Sequence, residues 1–137
     1  MAPPASGTHS RIRIGVDLVG VERVTRLLTD HAGALDELFT ELEQAHWRKK
    51  RQRYEHLAGR FAAKEAVLKA FGTGLRQRMR WTDVEIVSGI AGRPEVRLHG
   101  EVAEQARRRG LEDLDLSISH AEGLAVAHAV AVWAAER

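Results

Sequence analysis

The chain has 137 residues, 44% of them hydrophobic and 29% charged, with a formal net charge of +2 and no cysteine. That length suits one domain with a modest core, and the missing cysteines exclude a disulfide framework and any thiolate nucleophile or metal ligand. No apolar run reaches the roughly 20 residues of a membrane-spanning helix, so no membrane partner is expected.

The opening MAPPASGTHS lacks the apolar centre of a signal peptide and reads as a loose tail over residues 1–10, with one domain over 11–137. A cytoplasmic protein is the expectation. Ile12, Ile14, Val16 and Leu18 alternate with Arg13, Gly15 and Asp17, which predicts a strand ending near an acid. Val21, Val24, Leu27 and Leu28 have helical spacing, and His31-Ala32-Gly33 stops that helix. Thr40 with Glu43 forms a capping-box pattern that opens another helix. The stretch RFAAKEAVLKAFGTG, from Arg60 to Gly74, reads as a longer one closed by Gly72 and Gly74. On it Leu57, Phe61 and Leu68 share a bulky stripe with Phe71 beside it. Ala58, Ala62, Ala66 and Ala70 make a second, small-residue line. Glu65 and Lys69 stand between the two.

Val84 and Ile86 sit in the next predicted strand, and Gly92-Arg93-Pro94 is a turn leading to Val96 and Leu98. A helix is expected from Glu101 to Arg109, closed by Gly110. Leu114, Leu116 and Ile118 predict a strand. After the turn at Ala121-Glu122-Gly123, a last strand carries Leu124, Val126, Val130 and Val132 on one face and Ala125, Ala127, Ala129 and Ala131 on the other. The alanine face is expected to meet the alanine line of the long helix. The fold class is α+β, helices packed on a largely antiparallel sheet.

A charge between apolar stripes is costly to desolvate unless it is paired, coordinated or liganded. Glu65 and Lys69 could pair with each other one turn apart, and Asp17 could cap the helix that follows it. Alternatively Asp17 and Glu65 hold Mg²⁺, which takes one or two protein carboxylates together with phosphate oxygens and water. Arg60 and Lys64, also one turn apart, could reach phosphates. Ser119 and His120 offer a hydroxyl and an imidazole at a strand end, yet no acid is spaced to complete a serine triad with them. The basic clusters Arg48–Arg53, Arg76–Arg80 and Arg107–Arg109 read as solvated faces or as a surface for an anionic partner. Nothing resembles a zinc finger or an aromatic RNA-binding strand, so no nucleic-acid partner is expected.

The segments IGVDLVGVERV, RFAAKEAVLKAFGTG, GRPEV and LSISH follow one another as they do in the holo-acyl-carrier-protein synthases, the small bacterial-type 4′-phosphopantetheinyl transferases, and the chain resembles that family over nearly everything after the tail. The resemblance implies the 4′-phosphopantetheinyl transferase fold and transfer of the phosphopantetheine arm of coenzyme A to a serine of an apo acyl-carrier protein, of fatty-acid or polyketide type. Adenosine 3′,5′-bisphosphate is released. It implies Mg²⁺, or Mn²⁺ in its place, held by Asp17 and Glu65. Lys69 offsets charge on the phosphoryl oxygens, and Glu65, or a water beside it, takes the serine proton. Coenzyme A contacts are implied for Arg60, Lys64, Lys69, Gly92, Arg93, Pro94, Ser119 and His120, carrier docking for Arg23, and a homotrimer with active sites between subunits. Two departures stand out: Arg13 replaces a frequent glycine, and Asp36 and Glu37 precede Thr40 where an arginine is usual, which bears on the carrier preferred. A non-catalytic coenzyme A or nucleotide-binding protein on the same scaffold is the alternative.

Overall fold

The computed structural model describes residues 9–51 and 53–135; of the tail expected at residues 1–10, residues 1–8 lie outside the described residues. Its axis is a helix apolar on nearly every side. This helix, α4 (Tyr54–Phe71), follows α1 (Val21–Asp30), α2 (Ala34–Leu38) and α3 (Glu41–Lys49), and α5 (Gly100–Arg109) comes later in the chain. Twelve of the 18 residues of α4 are buried, because elements pack against it from two sides. The helix ends where Gly72 adopts a left-handed conformation and its N–H returns to the carbonyls of Leu68 and Lys69.

On one side lies a three-stranded antiparallel sheet in the order β1 (Arg11–Gly20), β5 (Leu124–Trp133), β4 (Leu111–Ala121). Its inner face carries Ala125, Ala127, Ala129 and Ala131, all fully buried, against Ala62, Ala66 and Ala70 of α4. The expected alanine-to-alanine contact is therefore present. It is closest at Gly15, where a built Cβ would stand 1.9 Å from the Ala66 carbonyl oxygen. Trp133 closes the end of this core edge-on to Phe71, with ring centroids 4.9 Å apart. Glu122 and Gly123 both take positive φ, giving the two-residue hairpin between β4 and β5.

On the other side of α4, Leu38, Phe39 and Trp47 surround Leu57. The sequence reading lacked α2, a single turn that folds over this second cluster, and a bulge at Glu112, which places Leu111 opposite Trp133 and Asp113 opposite Val132. A separate antiparallel pair, β2 (Val84–Ser88) with β3 (Pro94–Leu98), makes the strands two sheets rather than one.

The outer face of the larger sheet is apolar and uncovered. Ile12, Ile14, Val16 and Leu18 are 63%, 63%, 48% and 61% exposed, and Val130 beside them is 39% exposed. Among the described residues no helix is long and apolar enough to cross a membrane.

Candidate active site

β1 is an edge strand, and α1 and α4 flank it around an open cleft of about 600 Å³. Asp17 enters this cleft because the β1 register puts it opposite Ala127, on the face that meets α4. Glu65 projects from α4 into the same space, and Phe61 lies one turn before it. Asp17 does not cap α1: the capping position is Gly20, with no side-chain bond. Lys69 does not pair with Glu65 either. Its ammonium crosses to β1 and donates to Asp17 Oδ1 and to the Val16 carbonyl, each at 3.0 Å. Two of its three N–H donors are thus placed, and half of the side chain is exposed.

The electrostatics of the carboxylate pair are strained. Burial raises the pKa of Glu65 above the ordinary glutamate value, Asp17 raises it further, and Lys69 pulls it down. Two carboxylates that repel across an open cleft are an oxygen donor set for a hard cation. Among the described residues no cluster of three or more metal-binding side chains exists. Two protein carboxylates, with the remaining positions left to phosphate oxygens and water, suit Mg²⁺.

Lys64 departs from the expectation. It is fully buried, and all three of its donors are used, by Glu43 Oε1 at 2.8 Å and by the carbonyls of Trp81 and Val84 at 3.1 and 2.5 Å. It cannot reach a phosphate at the surface. Glu43 is the hub: it closes the Thr40 capping box, receives Lys64, and accepts the Ile86 N–H, locking α3, α4 and β2 together. Burial lowers the Lys64 pKa, with Glu43 opposing.

The other expected contacts fall at two further places. His120 packs over Gly59, where a built Cβ would come within 2.7 Å of its Nε2, and that nitrogen lies 2.9 Å from the Glu55 carbonyl. A carbonyl only accepts, so Nε2 carries the hydrogen. His120 and His56 form a pocket of about 420 Å³ with Lys49, Lys50, Arg51 and Arg53, the first of the basic clusters. His56 is pushed down to about 4, by burial first and then by Arg60, His46, Lys50 and His120. Arg60 is largely buried nearby and donates to Ser88 Oγ at 3.0 Å. The sequence showed the cations and His120 here but not His56, whose ring lies 5.1 Å from that of His46.

Gly92, Arg93 and Pro94 lie elsewhere. Arg93 and Pro94 line a hollow with Ser117, His128 and Ile14 on the outer sheet face, where Arg93 approaches Asp115 at 3.5 Å. Ser119 shares that face, since it pairs with Val126 while His120 pairs with Ala125. One chain therefore does not bring the turn and His120 into one pocket. Arg23 lines the carboxylate cleft, together with Arg26, Leu27 and Asp30, which the sequence reading had not singled out. Arg13 is remote from Asp17: it borders a hollow with Phe71 and Trp133 at the C-terminal end of α4.

The model of the 4′-phosphopantetheinyl transferase superfamily matches residues 13–129. The holo-[acyl-carrier-protein] synthase of Desulforudis audaxviator is 48% identical over 125 residues, which are 90% of this chain and 94% of the relative. The chain belongs to the holo-[acyl-carrier-protein] synthase family. Solved members agree in fold. The Neisseria meningitidis synthase superimposes with a TM-score of 0.80 at 31% identity, over 87% of this chain and 96% of that one. The Chronobacterium ammoniagenes synthase in its complex with CoA gives 0.79 at 31%, over 93% and 99%. As a member of this family the chain is a transferase, and its mixed helix and antiparallel sheet architecture is that of the synthases.

Proposed function

We propose that the chain transfers 4′-phosphopantetheine from coenzyme A to a serine of an apo acyl-carrier protein, of fatty-acid or polyketide type, in an Mg²⁺-dependent reaction. The observation that carries this reading is the meeting of Asp17 and Glu65 in one open cleft, with Lys69 bonded to Asp17, in a chain of the synthase family. Asp17 and Glu65 would hold the metal, which when bound neutralises diphosphate charge and orders its oxygens. Glu65, its pKa raised, or a water beside it accepts the serine proton as the hydroxyl oxygen attacks the phosphorus on the pantetheine side. The bond from that phosphorus to the bridging oxygen breaks, and adenosine 3′,5′-bisphosphate leaves. Lys69 fixes Asp17 and stabilises charge growing on the phosphoryl oxygens. The basic pocket around His120, with Arg60 behind it, receives the remaining phosphate of coenzyme A.

The apolar outer sheet face supports self-association, and a homotrimer is the assembly proposed. Leu18 belongs both to that face and to the cleft, so a second copy would come to the cleft's margin. It would also bring its own surface near the hollow of Arg93 and Pro94, completing a shared site. Incubation with coenzyme A, Mg²⁺ and an apo carrier tests the reading. One phosphopantetheine mass should be added to the carrier serine, and none after chelation of the metal. No mass shift across fatty-acid and polyketide carriers would refute it.

A further inference from the structure

A protein that delivers a hydroxyl to Glu65 must pass over α1, because α1 supplies one wall of the cleft through Arg23, Arg26, Leu27 and Asp30. Residues 23, 27 and 30 follow the i, i+4, i+7 spacing of one helix face, and residue 26 lies one turn before 30. The stripe is cationic toward its start, apolar at Leu27, which is 37% exposed, and anionic at its end. All three charged side chains are exposed, and among the described residues none of them forms an ion pair; Asp30 only accepts from Thr29 Oγ1 at 3.4 Å.

The end of its own helix does not favour Asp30. It occupies the last turn of α1, where the exposed carbonyls already make the field negative, and no basic side chain accompanies it there. The acids that the sequence marked, Asp36 and Glu37, do not have this position. Asp36 accepts a hydrogen bond from Gln44 at 2.9 Å, and neither residue lines the cleft.

We infer that Asp30 is a specificity determinant for the protein substrate. The carrier that fits this chain presents acidic side chains to Arg23 and Arg26 and a basic side chain to Asp30, about 6 to 10 Å further along the α1 axis. This rests on the carrier-protein reading above and names which carriers the site accepts. A carrier acidic along its whole docking surface places like charge against Asp30, and that repulsion does the discriminating.

The test uses the full chain with one apo carrier, acidic around its modified serine, and a set of its single Glu→Lys versions along that surface. The wild type should show a KM about two- to fivefold lower for one lysine version than for the parent. Asp30→Arg should reverse that order, with kcat unchanged within about twofold and the preference fading in high salt. The thermal midpoint of Asp30→Arg should not fall, since the substitution suits the helix end. A KM that ignores carrier charge in both proteins, or a change in Asp30→Arg that is equal for every version, overturns this inference and leaves the transferase reading standing. Failure of the wild type to modify any version overturns both.

Discussion

Burial and Asp17 both push Glu65 toward its neutral form, and Lys69 opposes them. Replacing Glu65 with its neutral isostere therefore removes the proposed proton acceptor while relieving a repulsion in the fold. Glu65→Gln should lower kcat by roughly 10²- to 10⁴-fold, with an unchanged circular dichroism spectrum and a thermal midpoint at least equal to the wild type. A variant that keeps wild-type turnover would take Glu65 out of the chemistry. Its chain neighbour Lys64 behaves in the opposite way. Lys64→Met leaves the Glu43 carboxylate buried without its cation, a change that costs about 3–5 kcal/mol, to be read from denaturant unfolding. Turnover per folded molecule should persist. The periodicity of α4 separated residues 60 and 64 from 65 and 69, but not the fate of Lys64. That depends on Glu43, 21 residues away, and a local pattern carries no information about a contact at that separation. His56 gives a pH test. Its folded pKa of about 4 lies below the ordinary 6.5, so the unfolded chain binds more protons between those values. Stability should be complete above the upper value and decline as the pH falls toward the lower one. In His56→Gln the decline over that window should be visibly shallower in thermal unfolding.

Among the elements, β1 and α4 decide the geometry of the cleft, because they fix the backbones on which Asp17 and Glu65 stand. Their approach is limited by Gly15, where the Ala66 carbonyl and the Ala70 amide leave no room for a Cβ. Both neighbours are backbone atoms, so neither can rotate away. Gly15→Ala should destabilise the fold by about 1–3 kcal/mol, and by moving Asp17 it should lower kcat/KM even in the folded fraction. An alanine variant with wild-type stability and activity would show that the contact is dispensable. Much of this level was readable from sequence. Alternation of period two exposed the alanine face of β5, helical spacing exposed the alanine line of α4, and Thr40 with Glu43 marked the start of α3. The one-turn α2 is too short to generate a period. The bulge at Glu112 breaks one, since it lets Leu111 and Leu114 face the same way although they are three residues apart.

At the scale of the whole molecule, the sequence matched the alanine face of β5 to the alanine line of the long helix but did not say what covers its bulky face. In the folded chain α4 covers the alanines, while the bulky side chains of β5 and the row from Ile12 to Leu18 are left toward water. Contiguous apolar surface of this kind marks an interaction site. Its β-strand geometry and lack of lysine favour another copy of the same apolar face over an acidic or nucleic-acid partner. His128 and Ser117 are polar interruptions within it, and the Arg93–Asp115 pair borders it. Burial of the patch stabilises each chain by mass action, so dissociation and unfolding should be linked. Ile14→Asp combined with Val130→Asp would place two carboxylates opposite each other in the β1–β5 register, at the centre of the face and away from α4. By light scattering the wild type should have the mass of three chains and the double variant that of one. Carrier modification should fall with the loss of assembly, because the hollow of Arg93 and Pro94 opens on that face and His120 does not reach it within one chain. A wild type that stays at single-chain mass at working concentration, or a monomeric variant with full turnover, would mean that one chain holds the complete site.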